Sequence, residues 1–513
     1  MESFLGEVAA DLYARYGEEL SQRAVLFPSR RARLFFTDAL ARIARRPMWQ
    51  PSWTTIDELM SEISGLRTGD RLRLVTELYG IYSEYHAEPF DKFYFWGDML
   101  LADFDTIDKY RIDAAMLFRN IEEIREIEAD ISYLTPAQLR IVAFWSSLGA
   151  EADLSEEKRR FLAIWRTLGP VYRRFRERLS ELGIAYGGMV QRAAADRLRS
   201  GEFAFATPRR FVVAGFNALS ECEKELFRFL SSAAETDFYW DYDSYYKDDP
   251  EQEAGMFVRE NVVRFPPRAE LSHDGMSRPK ELTSVAAVSN AVQCKYVATI
   301  LRGLAAGGRL GKETAVVLTD ENLLLPLLCA MPPEVGPVNV TMGYPLRASL
   351  AYTFVERLVE LQARRRTKGA DCTFYHADVT GLLAHPYVAG CDAELTRRLQ
   401  EEIMRERRIS VEASWLGRND LLRLVFSPAA GWRALSAWLS EVVAAVVRIP
   451  CPDDDARRRT EFLAVIAGEI ARLGNSLDEC GIEPAPEVYA SLLRRHLQTL
   501  RIPYEGEPLE GVQ

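Results

Sequence analysis

The chain lacks a cysteine framework, clustered histidines and any long apolar run. Its seven cysteines are scattered over 513 residues without a C-x-x-C pair, which favours reduced thiols and gives no zinc or iron–sulfur spacing. The five histidines are isolated, and we interpret them as satisfied or surface imidazoles. No stretch reaches the length of a membrane span, and the acidic, amphipathic start lacks the features of a signal peptide. We therefore expect a cytoplasmic protein with no membrane partner, no metal site and no bound cofactor.

A basic excess is lacking as well. The formal net charge of −11 counts against a dedicated nucleic-acid-binding module, which usually carries an excess of lysine and arginine. A chain of this length can still concentrate its arginines on one face, so the total does not decide the question. With 48% apolar residues, the chain can bury several ordinary cores, and we expect several domains.

The first half of the chain changes character twice. It alternates between helix and strand, then becomes helical over about 70–200, and then returns to strands. The predicted elements are a helix at about 2–20, a strand at 23–28, an arginine-rich helix at 29–46, a helix capped by Thr54 or Thr55, a strand at 210–216 and a further strand within 233–255.

The second half repeats this organisation after a Gly/Pro/His-rich linker at 264–282. Strands predicted for 282–289, 313–320 and 338–343 alternate with helices, as expected of a parallel sheet covered by helices. From 350 to 500 the chain is again predicted to be helical. The sequence thus predicts an α/β protein with two parallel-sheet units and large helical blocks.

Nucleotide hydrolysis has no support in the motifs. No G-x-x-x-x-G-K-[ST] loop lies between the first strand and its helix, where backbone amides and a lysine would hold phosphates. The stretch "GGRLGKET" (307–314) precedes a predicted strand instead of a helix, and we interpret it as a turn. At the end of the strand "FVVAGF", where a motor ATPase carries its acidic pair, the chain has Ala214 and Gly215.

Arginines crowd the helix that follows the first strand. They begin at the strand-to-helix corner, where ligands bind in open α/β sheets, and Trp49 or Trp53 could stack on bases nearby. The alternative is a solvated helix face whose charges are balanced by carboxylates, and both interpretations stay open. The arginines are Arg30, Arg31, Arg33, Arg42, Arg45 and Arg46.

Two groups of acids could suggest a metal-dependent nuclease, which needs carboxylates gathered around one ion. They lie at helical spacing or in a loop, and we interpret them as surface acids and helix caps. The two groups are Asp98, Asp103, Asp105 and Asp108 in "FWGDMLLADFDTIDKY", and Asp241 and Asp243 in "WDYD".

Seven segments in order give the chain a specific resemblance over nearly its whole length. It resembles the AddB-type subunits of helicase–nuclease complexes that process double-strand DNA breaks, in the bacterial form that carries a PD-(D/E)XK nuclease domain. The segments are "AVLFPSRRARLFF", "PSWTTIDELM", "FYFWGDMLLADFDTIDKY", "FVVAGFNALSECEKELF", "SNAVQCKYVATIL", "TAVVLTDENLLLPLL" and "VNVTMGYPL".

The resemblance implies a superfamily 1 helicase frame with two RecA-like domains, each carrying a helical insertion. The first, degenerate domain would comprise 1–65 and 205–265, with 66–204 inserted. The first part of the second domain would comprise 280–348, followed by an insertion at 349–500. Residues 501–513 would return towards that domain, before the nuclease domain that the family carries.

The resemblance also implies a function. The chain would be an inactivated, helicase-like DNA-binding scaffold beside a motor and nuclease subunit of AddA type, in double-strand-break repair and recombination. Ala214 and Gly215 would mark a degenerate Walker B position, and "TDENLLLPLL" (319–328) offers no arginine for a nucleotide. Predicted DNA contacts are Arg30, Arg31 and Arg33, with Thr54, Thr55, Asn339, Thr341 and Tyr344 as further candidates. The alternatives are an ATP-dependent DNA helicase with a non-standard nucleotide site and a purely structural scaffold without DNA affinity.

Overall fold

A computed structural model gives the fold. It describes residues 3–118, 156–205, 209–269, 271, 274–311, 313–368, 371–450, 453–503 and 512. These residues are mostly helical and contain a four-stranded parallel sheet, so the protein belongs to the α/β class. In the described ranges, no helix is long and apolar enough to cross a membrane.

Helices and strands alternate in the first half of the described chain. The helices are Phe4–Tyr16 (α1), Arg30–Ile43 (α2), Ile56–Ser64 (α3), Arg71–Tyr82 (α4), Phe90–Lys109 (α5), Glu156–Glu181 (α6), Gly187–Ser200 (α7), Glu221–Ala233 (α8), Ser244–Lys247 (α9) and Met256–Arg264 (α10). The strands are Arg23–Phe27 (β1), Ser52–Thr55 (β2), Arg67–Thr68 (β3), Ile184–Ala185 (β4), Arg210–Ala214 (β5) and Glu235–Tyr239 (β6).

Helices dominate the second half. They are Asn290–Ala306 (α11), Leu324–Ala330 (α12), Leu350–Ala363 (α13), His376–Leu383 (α14), Pro386–Ala389 (α15), Ala393–Arg405 (α16), Ala413–Leu416 (α17), Asp420–Val425 (α18), Trp432–Val447 (α19), Asp453–Glu479 (α20) and Pro486–Thr499 (α21). The strands are Tyr344–Pro345 (β7), Arg366–Lys368 (β8), Asp371–Tyr375 (β9), Ser410–Glu412 (β10) and Arg501–Ile502 (β11).

Contacts divide the chain into two compact units. The first comprises the described residues of Met1–Gly69, Asp103–Val340 and Glu505–Gln513. The second comprises those of Asp70–Ala102 and Thr341–Tyr504. The domain boundaries that the sequence suggests remain a prediction.

The four-stranded sheet organises the first unit. Its order is β2-β1-β5-β6, all neighbours are parallel, and Leu26 of β1 lies opposite both Thr54 and Val213. The chain passes from β1 to β2 on one side and then returns to add β5 and β6 on the other. The strand order therefore reverses between β1 and β5, which makes the carboxyl ends of these two strands the topological switch point of the sheet.

Helices cover the sheet on both faces. Val25, Val212 and Ala214 alternate along their strands and pack in one core cluster with Leu12 of α1 and Phe36 of α2. On the other face, the ring of Phe227 in α8 lies 5.7 Å from that of Phe238 in β6. The apolar runs "RAVLF" and "RFVVA" form parallel strands because both of their faces are covered.

A buried arginine stabilises the end of this sheet opposite the switch point. Arg23, at the start of β1, is 2% exposed and makes ion pairs with Asp237 and Glu235 of β6. Its guanidinium carbon also lies 3.6 Å from the ring centre of Tyr16, whose hydroxyl donates to Asp237. Burial raises the pKa of Tyr16, so the phenol stays protonated and remains a donor.

The three strands predicted for 282–289, 313–320 and 338–343 are not formed, and this prediction was wrong. Leu282, Val288 and Val317 are 89, 94 and 83% exposed. A strand persists only when a neighbour satisfies its backbone groups, and within the described ranges the only pairing of these segments is one bridge from Val338 to Val512. The predicted helices between them are present as α11 and α12.

The second unit is a helical assembly with a small antiparallel sheet of order β10-β9-β8. Its core contains a buried polar chain in which His496 Nε2 lies 2.7 Å from Glu469 Oε2 and His496 Nδ1 lies 3.0 Å from the hydroxyl of Tyr94. Burial alone would raise the pKa of Glu469, but the hydrogen bond and proximity of His496 lower it below its ordinary value.

Candidate nucleic-acid interface

The switch point brings the end of β5 against the start of the arginine helix. A Cβ added at Gly215 would lie 3.8 Å from Cδ of Pro28, the residue that follows β1. Gly215 has φ +83°, a conformation that L side chains rarely adopt, so glycine permits the sharp exit from the strand. Ala214 is fully buried in the core beneath. The crevice therefore presents backbone and a proline ring where a motor ATPase presents carboxylates.

Helix α2 starts beside this crevice and presents three arginines in its first turn. Ser29 occupies the N-cap position, but its side chain makes no capping hydrogen bond. Arg30 Nη2 lies 2.6 Å from Glu58 Oε1, and both side chains are largely or partly exposed. The guanidinium of Arg31 lies 5.8 Å from the ring centre of Phe35. Arg30 is exposed, and Arg31 and Arg33 are half-buried. Cations at a helix start suit phosphate groups, because the first backbone N–H groups of the helix point the same way.

Thr54 and Thr55 end β2 at the same edge of the sheet. The Thr55 hydroxyl accepts from Glu58 N, and Glu58 Oε2 accepts from Thr55 N, which is the reciprocal capping box of α3. The backbone hydrogen bond from Thr55 and the bond from Arg30 keep the pKa of Glu58 below its ordinary value. Thr55 is buried and its hydroxyl is used within the protein, whereas Thr54 is half-buried and donates to the Thr55 carbonyl.

Arg33 of α2 stacks on Trp53 of β2. The guanidinium carbon of Arg33 lies 4.1 Å from the ring centre of Trp53, a cation–π stack that covers one face of the indole. The sequence offered Trp49 and Trp53 equally as stacking residues. The structure distinguishes them, because Trp53 is already paired and half-buried while Trp49 is 86% exposed.

The switch-point edge thus gathers seven of the predicted site residues in one place: Arg30, Arg31, Arg33, Thr54, Thr55, Ala214 and Gly215. Sequence reasoning missed Glu58, which bonds both to Arg30 and to the cap of α3. The spacing T-x-x-E from Thr55 to Glu58 carries the signal, since it predicts a capping box and so an acid close to the strand end.

The other three predicted contacts lie in a later segment. Asn339 is buried in the first unit, and its N–H donates to the Val512 carbonyl at 2.7 Å. Thr341 and Tyr344 belong to the second unit. Thr341 is exposed, and the Tyr344 ring packs edge-on against Phe462 at 5.1 Å. Asn339 lies beside the small cluster of Leu301, Val335 and Val512, which is separate from the core beneath α2.

Three of the four candidate acids of α5, Asp98, Asp105 and Asp108, make contacts within the protein, and the interpretation of Asp108 as a surface acid was wrong. Asp108 is fully buried and accepts from the hydroxyls of Tyr172 and Tyr186, both at 2.5 Å, while Arg192 and Arg176 lie 3.1 and 3.4 Å away. Burial and the bond to Asp108 raise the pKa of Tyr172 to about 12, which keeps it a donor. The helix buries this acid because two tyrosines and two arginines compensate it.

The remaining acids have ordinary roles. Asp98 pairs with Arg71, Asp105 with Lys109, and Asp243 caps α9 as predicted. Asp103 is exposed. In the part of the chain that the structure describes, no group of three or more histidine, cysteine, aspartate or glutamate side chains could hold a metal ion.

No protein-family model matches the chain, and no curated protein is similar enough in sequence to be counted as a relative.

Proposed function

We propose that the chain is a DNA-binding scaffold built on a helicase-like frame that has lost nucleotide hydrolysis. In this proposal it works in the bacterial cytoplasm beside a motor and nuclease subunit of AddA type, in double-strand-break repair and recombination. The observation that carries the proposal is the arginine cluster of α2, which begins at the switch point of a parallel sheet. Ligands bind at this position in open α/β sheets.

The residues at the switch point support binding without hydrolysis. Mg²⁺ needs oxygen ligands, and the attacking water needs a polarising group. Ala214 offers a buried methyl group and Gly215 no side chain at all. A polyanion needs only cations and donors at this edge, and α2 supplies both.

The finer features of the fold belong to the same proposal. The sheet of the first unit, with helices on both faces, is compatible with a degenerate RecA-like domain. A second RecA-like domain and the pairing with an AddA-type subunit rest on the sequence resemblance alone.

Salt-dependent binding to a forked DNA tests the proposal. Replacing Arg30, Arg31 and Arg33 together by alanine should weaken binding and make the plot of log affinity against log salt shallower by about 1 to 3, since each lost phosphate contact contributes about 0.9. A matched control is the triple replacement of Arg397, Arg405 and Arg423 by alanine. These arginines of the second unit are exposed and paired with carboxylates, as Arg30 is, and the control also removes three positive charges.

Each alternative has its own result in this experiment. Binding that is absent at low salt would overturn the proposal and favour a structural scaffold without DNA affinity. Equal losses in the two triple variants would place the DNA elsewhere. ATP hydrolysis stimulated by DNA would favour an active helicase with a non-standard nucleotide site.

A further inference from the structure

An exposed tryptophan stands out in the segment that follows α2. Trp49 is 86% exposed, and within the described residues it has neither a ring contact nor a hydrogen bond. Its neighbours are anchored, since Met48 packs against the core beneath α2 and Pro51 is buried. The indole is therefore held out from the surface by fixed backbone on both sides.

Two arginines that have no ion-pair partner among the described residues precede it closely in the sequence. Arg45 and Arg46 are exposed, and no described carboxylate pairs with either guanidinium. Arg42, one turn earlier, is paired with Asp38 at 3.0 Å. The backbone N–H of Arg45 donates to the Tyr13 hydroxyl at 3.1 Å, which fixes the end of α2 against α1. The segment that follows α2 thus carries two positive charges that no described carboxylate pairs, next to a backbone held by Tyr13.

Met48 and Gln50, the residues on either side of Trp49, line one cleft together with Arg45 and Arg46. It has a volume of about 430 Å³, and its lining includes Leu40, Ala44 and Met48 together with Arg45 and Arg46. This volume lies within the range of ligand sites. The apolar lining suits the flat face of a nucleobase, and the guanidinium groups suit its phosphate.

We propose that this Trp49 subsite, formed by Arg45, Arg46, Trp49 and the cleft, binds single-stranded nucleic acid, with a base stacked on the indole. The inference rests on the proposed DNA-binding function and names the form of its ligand. An exposed aromatic ring close to cations that have no described acidic partner suits single strands, because only unpaired bases offer their faces. Trp53 cannot stack on a base in the same way, since the guanidinium of Arg33 covers one face of its ring.

The geometry of α2 sets the length of the ligand. The helix runs from Arg30 to Ile43, so its ends lie about 20 Å apart at 1.5 Å per residue. A single strand that contacts both Arg30 and the arginines after the end of α2 must span at least this distance, or about six nucleotides when its bases keep the 3.4 Å stacking of a duplex strand.

Fluorescence anisotropy with an oligothymidylate of about 20 nucleotides and with a duplex of the same length tests the inference. Trp49→Ala should weaken single-strand binding on the order of 10-fold and leave duplex binding within about twofold, while Trp49→Phe should keep most of the affinity. The double variant Arg45→Ala/Arg46→Ala should lower the salt slope by about 1 to 2. Arg42→Ala is the matched control for each single variant, Arg45→Ala and Arg46→Ala, because it also removes one positive charge, from a side chain that is paired with Asp38.

The outcomes distinguish a failure of the Trp49 subsite from a failure of the proposed DNA-binding function. If the wild-type chain binds neither the single strand nor the duplex at low salt, both the subsite and the DNA-binding function are overturned. A wild-type chain that binds DNA, with Trp49→Ala equal to it on the single strand, would overturn the inference and leave the function standing. An equal loss on single strand and duplex would also overturn it. Unchanged thermal unfolding of Trp49→Ala is expected, because the side chain is exposed, and it would exclude a folding defect.

Discussion

Glu58→Gln tests whether Arg30 is a phosphate contact, because Glu58 is the group that DNA must displace. Glu58 Oε1 accepts from Arg30 Nη2 at 2.6 Å, and Glu58 Oε2 accepts from Thr55 N at 3.0 Å. Glutamine at this position also completes a capping box, so the cap of α3 should survive the change. The variant therefore removes the charge that holds Arg30 while it keeps the local fold.

The exposure of the pair sets the size of the effect. Arg30 and Glu58 are 77 and 38% exposed, and such surface pairs contribute about 0 to 1 kcal/mol. Freeing Arg30 should therefore strengthen DNA binding by up to about fivefold, the equivalent of about 1 kcal/mol. If Arg30 then engages a phosphate more fully, the salt dependence should steepen by up to about 0.9.

Glu62→Gln is the matched control for this prediction. Glu62 lies on the same helix and pairs with Arg209 at 2.9 Å, so its removal changes the net charge equally without freeing Arg30. Titrations of forked DNA against both variants over about 50 to 200 mM salt measure the difference. An equal gain in DNA affinity in both variants would show that the effect comes from the change in net charge and not from Arg30. A gain that persists in the double variant Arg30→Ala/Glu58→Gln would refute the role of Arg30.

Three further predictions concern the fold that supports the site. Asp108→Asn should lower the free energy of unfolding in urea by about 3 kcal/mol or more, since Arg176 and Arg192 lose a buried counter-charge; exposed Asp103→Asn should change it by less than about 0.5 kcal/mol. Gly215→Ala should lower the free energy of unfolding by about 1 to 2 kcal/mol, because Gly215 has a φ of +83°. Gly80→Ala, within α4, should raise the free energy of unfolding. The pKa values of Tyr172, Tyr352 and Tyr489 are raised to about 12 in the folded chain, chiefly by burial, so stability in urea should hold below about pH 10 and fall as the pH rises towards 12. Stability that rises over this interval would contradict the burial of these phenols.

Local patterns were sufficient for the elements around the site. The apolar runs at 23–28 and 210–216 form β1 and β5, and the capping signal at Thr55 starts α3 through a complete capping box. These signals act over four to eight residues, so a sequence reveals them directly. The positions of Arg30, Arg31 and Arg33 at the sheet edge follow from the same patterns.

Contacts between residues that are far apart in the sequence could not be predicted in this way. Asp108 is buried because Tyr172 and Tyr186, 64 and 78 residues later, donate to it, and no local pattern reports this. The apolar segments at 282–289 and 313–320 have strand-like composition, but composition does not supply a neighbouring strand. Arg30 likewise meets Glu58 only because β1 and β2 are adjacent in the sheet.

The structure shows that the arginines in and after α2 differ in their contacts. The sequence shows six arginines on one helix and leaves open whether they are a binding surface or a balanced solvated face. The contacts divide them by position. Arg30 and Arg42 are paired with carboxylates, and Arg33 with an indole, while Arg45 and Arg46 have no described acidic partner. The balanced face therefore describes Arg30 and Arg42, whereas Arg45 and Arg46, which follow α2, are the positions where the binding-surface interpretation stays a prediction. In the proposed binding mode, a polyanion would have to displace Glu58 at the start of α2 but no described carboxylate at Arg45 and Arg46, so the variants of Glu58 and of Arg45 with Arg46 should differ in their salt dependence.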